Sequence, residues 1–247
     1  MTRIFSMAVA ATAIALTPAC AQEQIDTSSK EAIEKVVYDY LMENPEVIED
    51  ALIALSQKRQ LEEQELARAA IAENQDRLLN YAGDYSIGPA DAAVTVVEFF
   101  DYRCGYCKRS ASWAAELPEK YNNQVRVVFK EYPILSAESE KAALAALAAG
   151  KQGKYIEMHL ALMELDNGTG FGPKIIDAAA ESVGVDVTKM RADMKSVDVQ
   201  KTVAESKGLA RALGQSGTPI FIVGTDLVNG ANIPRVEALI ESALAES

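Results

Sequence analysis

The sequence predicts a single-cored α/β domain preceded by a helical N-terminal segment, and three observations carry that prediction. Val94-Thr-Val-Val-Glu-Phe-Phe100 is a continuous apolar run rich in β-branched and aromatic residues, as in a strand covered on both faces. A helix-length stretch from Gly105 to about Tyr121 separates it from a second run, Val125 to Tyr132, a spacing that suits a β-α-β unit and implies a parallel sheet. From Thr27 to about Tyr81 the chain is almost entirely helix formers. With 247 residues and 49% hydrophobic content it can bury one good core and carry a smaller module besides. The net charge of -12 argues against nucleic acid or an anionic membrane as a partner, since both reward clustered Lys and Arg.

Taken in order, residues 1–21 read as an export signal: Arg3, an apolar stretch from Ile4 to Leu16, then Thr-Pro-Ala-Cys-Ala ending at Ala21 with small residues for a signal peptidase. Cleavage is expected after Ala21, and the apolar run is shorter than the ~20 residues of a membrane span. The mature protein is thus expected to be soluble and periplasmic. Cys20 reads as a small signal residue; lipid anchoring there is disfavoured because Thr17 stands three residues before it and Leu16 one residue too far back.

Residues 22–82 form the predicted helical segment and linker. Ile33, Val36, Val37, Tyr40 and Leu41 make one apolar stripe, Asn44-Pro45 interrupts it, and Pro45 suits the first turn of a second helix. That helix carries Ile48, Leu52 and Leu55 at four- and three-residue steps, then turns polar from Gln57 to Gln64. A stripe with no core of its own needs a partner, and association with further copies of the same segment is favoured over packing on the main domain. In residues 83–247, Gly88-Pro89 marks a turn, Pro118 is expected to kink or end the crossover helix, and the stretch from about Glu138 to Leu213 is helical, divided at glycines. Strand character returns at Pro219-Ile-Phe-Ile-Val223, followed by a turn at Gly224 to Asp226, a short run through Val228, and a terminal helix from Pro234 to Ala245.

Between the first strand and the crossover helix lies Cys104-Gly105-Tyr106-Cys107. Cys20 is the one other cysteine, so the mature chain keeps a single pair, which points to dithiol/disulfide chemistry. A free thiol with pKa near 8.5 is only a few per cent ionised at neutral pH. At a helix N-terminus, unpaired backbone N–H groups and the helix dipole favour the Cys104 thiolate. Cys107, one turn further in, suits resolution of a mixed disulfide. The bland alternatives are an inert disulfide or half a zinc site; zinc would need four ligands, and the mature chain supplies no third cysteine and one histidine.

Val97 to Lys108, Val-Glu-Phe-Phe-Asp-Tyr-Arg-Cys-Gly-Tyr-Cys-Lys, resembles the active-site strand and helix of the DsbA-like branch of the thioredoxin superfamily, and Thr218-Pro219 completes the match. The resemblance implies a thioredoxin fold with a helical insertion at about 138–213, and a cis-proline loop at Thr218-Pro219 that faces the dithiol and binds substrate. Without the dithiol upstream, Pro219 would read as an ordinary strand-entry proline. Gly105-Tyr106 between the cysteines, with Thr218 before the proline, is more similar to periplasmic disulfide isomerases and the suppressor-of-copper-sensitivity C (ScsC) proteins than to strongly oxidising DsbA enzymes, which commonly carry Pro-His and Val. The N-terminal helices resemble the oligomerisation stalk of that copper-sensitivity group, which implies a homo-oligomer, a trimer by resemblance. Linked domains would raise the local concentration of thiols around one misfolded client.

Two charges interrupt the apolar strands, Glu98 and Lys130. Because buried charges are expensive unless paired, they are expected to pair beneath the dithiol, with Glu98 exchanging protons with Cys107 as the corresponding acid is thought to do in the resembled family. The alternative is a purely structural ion pair, or two side chains reaching water at a strand edge. His159, with Met158 and Met163 nearby, reads as helix packing rather than copper binding. Tyr102, Tyr106 and Trp113 offer either an apolar rim for clients or simple packing. The expectation is therefore a protein disulfide isomerase that needs no small cofactor, since the Cys104–Cys107 disulfide carries the electrons. Its partners would be misfolded or oxidised exported proteins and a membrane thiol reductase. A net dithiol oxidase, or a Cu(I)-binding protein using the same soft thiols, stands as the alternative.

Overall fold

The computed structural model describes residues 29–168 and 170–246, so the export segment, with Cys20 and Ala21, lies outside the described residues. The chain divides into two units, Met1–Lys58 and Arg59–Ser247.

In the first unit, Ser29 caps helix α1 (Lys30–Glu43) by accepting from the Ala32 N–H at 3.2 Å. Asn44-Pro45 then breaks the chain, and α2 (Glu46–Glu73) begins at the residue after the proline. No residue of α1 is buried: Ile33, Val37 and Tyr40 are about half exposed, as are Ile48, Leu52 and Leu55 on α2.

The second unit is built on a five-stranded sheet in the order β1-β3-β2-β4-β5. The strands are β1 (Tyr85–Ile87), β2 (Val94–Phe100), β3 (Val125–Glu131), β4 (Ile220–Val223) and β5 (Asp226–Asn229). Only β2 and β3 are parallel, joined by the crossover helix α4 (Gly105–Lys120), and the other pairs are antiparallel. The parallel sheet expected from sequence is thus a mixed one. β1 gives no signal of its own, because three residues at an edge are too short for a hydrophobic period. Gly224, with φ 61°, turns β4 into β5 in a conformation that side chains rarely adopt.

Helix α4 continues past Pro118 to Lys120 rather than ending at the proline, which lies in the last turn; the Asn123 N–H then closes on the Pro118 carbonyl at 2.7 Å. Between β3 and β4 the described residues form five helices: α5 (Ala137–Gly150), α6 (Tyr155–Glu164), α7 (Pro173–Ser182), α8 (Val187–Asp193) and α9 (Val197–Ala212). Alanines crowd α5, and at its end a Cβ on Gly150 would fall 2.2 Å from the Tyr85 ring. The terminal helix is α10 (Ile233–Glu246).

Alternation along β2 and β3 sends side chains to two separate cores. Val96, Phe100, Val127 and Phe129 pack with α4, α10 and the inserted helices. Val97, Phe99, Val128 and Ile222 pack with Ile71, Leu78 and Leu209. Burial of Ile71 and Leu78 places the second half of α2 and the short helix α3 (Gln75–Leu79) in the larger unit, ahead of the boundary expected at residue 83. The ion pair Arg77–Glu205, at 2.7 Å, ties α3 to α9.

Candidate active site: a dithiol at a helix N-terminus

Cys104 is the N-cap residue of α4, with extended backbone, and Cys107 lies in the first turn. The turn leading to it is held by Asp101, which is buried: one carboxylate oxygen accepts from the Arg103 N–H at 2.8 Å, the other from the N–H groups of Ile134 and Leu135 at 2.8 and 2.9 Å. The first bond is an Asx-turn, a pattern legible in the Asp-Tyr-Arg sequence though not read there. Antiparallel pairing of Phe99 with Ile220 then delivers the start of β4 to the dithiol. The Thr218–Pro219 bond is cis, and the Cys104 Sγ lies 3.3 Å from the Thr218 carbonyl oxygen, to which it donates when protonated.

Both sulfurs are shielded, Cys104 at 7% exposure and Cys107 at 0%. Their ionisation is opposite. The hydrogen bond from the Cys107 thiol, against the opposing effect of burial, lowers Cys104 to about 5; the Thr218 side chain and the backbone N–H groups of Cys107 and Tyr106 add to it. Burial, and then the same bond to Cys104, pushes Cys107 well above an ordinary thiol. The Cys107 thiol thus joins the helix N–H groups expected from sequence in stabilising the Cys104 anion. Cys104 is a thiolate at neutral pH, and Cys107 a thiol that is also its hydrogen-bond donor.

Gly105 and Tyr106 project outward. A Cβ on Gly105 would meet open space, and Tyr106 is 58% exposed with the Arg109 guanidinium 4.1 Å over its ring. Tyr102 and Trp113 are packing residues: Tyr102 is buried, and Trp113 stands edge-on to Phe221 and donates to Glu237 at 2.8 Å. Leu135 and Ile134, whose N–H groups are bound by Asp101, are exposed apolar side chains next to the turn that leads to Cys104. His159, Met158 and Met163 are buried in the core. Among the described residues no group of three or more His, Cys, Asp or Glu could hold a metal ion.

The expected pairing of Glu98 with Lys130 does not form. In the parallel register Glu98 stands opposite Phe129 and Lys130 opposite Phe99, so the two side chains leave the sheet on opposite faces. Lys130 forms an ion pair with Asp84 and donates to the Arg77 carbonyl at 2.5 Å. Glu98 stays on the dithiol side, fully buried, with Ser110 Oγ 3.4 Å from Oε1 and no partner for Oε2. Burial, opposed by Ser110 and helped by the Cys104 charge, raises it to about 8. Neither Asp84 nor Ser110 carries a sequence signal for these contacts, since both depend on which face a strand or helix presents.

A family model described as the DSBA-like thioredoxin domain matches residues 95–241, and one described as the copper resistance protein ScsC N-terminal domain matches residues 30–62. A thioredoxin-like oxidoreductase of known structure from Silicibacter pomeroyi DSS-3 is 37% identical, with a TM-score of 0.65, covering 70% of this chain and 98% of that one. ScsC from Proteus mirabilis, solved in a transitional conformation, is 31% identical with a TM-score of 0.62, covering 89% of this chain and 99% of its own. A Na(+)/H(+) antiporter NhaA 1 from Salinispora arenicola is 33% identical over 165 residues, 66% of this chain but 25% of the antiporter. The chain therefore spans about a quarter of that curated relative's length. Among the described residues no helix is long and apolar enough to cross a membrane. With its dithiol, cis-proline loop and inserted helices all inside the matched region, the chain belongs to the DsbA-like thioredoxin family and carries a ScsC-type N-terminal segment.

Proposed function

We propose that the protein is an exported thiol-disulfide oxidoreductase that acts chiefly as a protein disulfide isomerase in the periplasm. The observation that carries the reading is the opposite ionisation of two adjacent sulfurs beside the cis-proline loop. The Cys104 thiolate attacks a client disulfide, forming a Cys104–client bond and releasing the other client sulfur as a thiolate. That thiolate attacks elsewhere in the client, and a client thiolate finally expels Cys104 unchanged, so no net electrons move. If the client stalls, Cys107 gives its proton to Glu98 in its ionised form, which the mixed disulfide favours by removing the Cys104 charge that raises this carboxyl, and attacks Cys104 Sγ; the Cys104–Cys107 disulfide closes and the client leaves as a thiolate. An external dithiol reductant then returns two electrons. Pro219 and Thr218 line the place where the client chain lies, Tyr106 and Leu135 offer it apolar contact, and the two sulfurs serve as the redox centre without a small cofactor.

Isomerisation is favoured over net oxidation by Gly105-Tyr106, by Thr218, and by the exposed apolar face of Ile33, Val37, Tyr40 and Leu52 in the ScsC-type segment. Copies of this segment associating through that face would present several dithiols to one client, and a trimer is the number the ScsC resemblance favours. A second reading follows from the copper-resistance description of the matched N-terminal model: the two thiols could take Cu(I), a soft ion for soft ligands.

The test is recovery of a client enzyme from scrambled disulfides by the reduced protein. Recovery that disappears in Cys104→Ser is the expected result. Rapid disulfide introduction into a reduced client without any reshuffling would replace the reading with an oxidase, and tight Cu(I) binding without thiol exchange would replace it with copper handling.

A further inference from the structure

Four buried polar side chains lie on the dithiol face of the sheet without any part in the exchange: Tyr102, Glu131, Tyr155 and His159. They come from three elements, the turn before α4, the end of β3, and α6. Tyr102 and Tyr155 each donate to Glu131 Oε1 at 2.9 Å. The Tyr102 hydroxyl also lies 3.2 Å from His159 Nδ1. With the Tyr102 proton directed at Glu131 Oε1, the contact with the histidine is met by the tautomer whose Nδ1–H donates to the Tyr102 oxygen. The ring is neutral, because burial lowers His159 to about 3.

A phenylalanine at 159 would fill the same space, within about 5 Å of the Phe100 and Phe129 rings, without the penalty of a buried polar ring whose Nε2 has no partner. The polar ring therefore serves placement rather than packing. Three further hydrogen bonds join α6 and the segment after it to the same region: Lys108 donates to the Met163 and Leu165 carbonyls at 3.0 and 2.5 Å, and Asn167 to the Arg103 carbonyl at 2.8 Å. Residues on both sides of Cys104 are thus held from the inserted helices.

We propose that His159 is a positioning residue for Cys104: through Tyr102 and Glu131 it fixes the turn before α4, and so fixes the alignment of the sulfur with the donors that stabilise its anion. This rests on the reading of Cys104 as the attacking thiolate. Hydrogen bonds weaken steeply with misalignment, so loosening the turn lowers thiolate stability with no change in the donors themselves.

The ultraviolet absorbance of the thiolate, followed against pH in the reduced full-length protein, tests this. Tyr102→Phe and His159→Phe are each expected to move the Cys104 midpoint up by about one pH unit, a tenfold fall in thiolate on the acid side. His159→Asn, whose amide can donate from near the position of Nδ1, is expected to restore it. A midpoint unchanged in both phenylalanine variants overturns the proposal even if their melting temperatures fall, since a packing role would move stability alone. An asparagine variant as impaired as His159→Phe overturns the assignment to Nδ1–H. Should His159→Phe not fold, Tyr102→Phe decides, because it removes a single oxygen. Absence of any midpoint below neutrality in the unaltered protein overturns the dithiol reading itself, a result distinct from the others.

Discussion

On one face of the central sheet Lys130 is buried beside Asp84, with the Arg77 carbonyl as a second acceptor; on the other, Glu98 is equally buried and has only a long contact from Ser110. Burial works against both charges of the Lys130–Asp84 pair, lowering the lysine and raising the aspartate to about 6, but each partner opposes the shift in the other. Glu98 has no cation to oppose its shift, and it stays protonated at neutral pH. Lys130 and Asp84 form an ion pair on the face away from the dithiol, whereas Glu98 lies on the dithiol face, where its proposed role is proton exchange with Cys107.

The largest way to break the comparison is at the paired site. Asp84→Leu leaves Lys130 buried without its counter-ion, so it is expected to lower the unfolding free energy by roughly 3–5 kcal/mol, read from urea unfolding. Asp84→Leu with Lys130→Met is expected to recover most of that loss, while thiol exchange by the folded protein stays unchanged. A double variant no more stable than the single one would mean that the pair does more than neutralise itself.

Replacing Glu98 by Gln tests the unpaired side, and the effect lies in pH dependence. The folded state holds this carboxyl at about 8 against an ordinary 4.5, so between those values it binds more protons than the unfolded chain. Its contribution is complete below pH 4.5 and lost as pH rises toward 8. Stability of the unaltered protein should therefore fall across that window, and Glu98→Gln should flatten the fall. The rate at which Cys107 resolves a mixed disulfide should also lose its inflection near pH 8 in this variant. An identical rate profile would remove Glu98 from proton transfer and leave it a packing residue.

The smallest effect is expected from Ser110→Ala. Ser110 lowers Glu98 through a 3.4 Å contact, so its loss should move the carboxyl midpoint upward by a fraction of a unit, measured by infrared titration. A downward move would show that Ser110 accepts from the protonated acid instead of donating to the carboxylate.

Much of the fold was legible because its signals are local. The runs Val94–Phe100 and Val125–Glu131 state their strands, Cys104 marks the start of α4, and the glycines between residues 138 and 213 punctuate a helical insertion. The three-residue β1 was not legible, nor was the burial of Ile71 and Leu78 that draws the end of α2 into the larger unit. Both depend on what lies opposite.

By itself the sequence determined that two thiols stand one helical turn apart at a strand–helix junction, that a proline follows Thr218 before a late strand, and that two charges interrupt the core strands. Covalent order and side-chain periodicity suffice for each of these. Only the tertiary structure decided that Glu98 and Lys130 face opposite ways, that Asp84 answers the lysine, that the Cys107 thiol joins the helix N–H groups in stabilising the Cys104 anion, and that His159 reaches the turn before it. The physical reason is register. A shift of one residue between β2 and β3 would exchange the faces of every side chain, and the register is set by the packing of both sheet faces, which no single stretch of sequence contains.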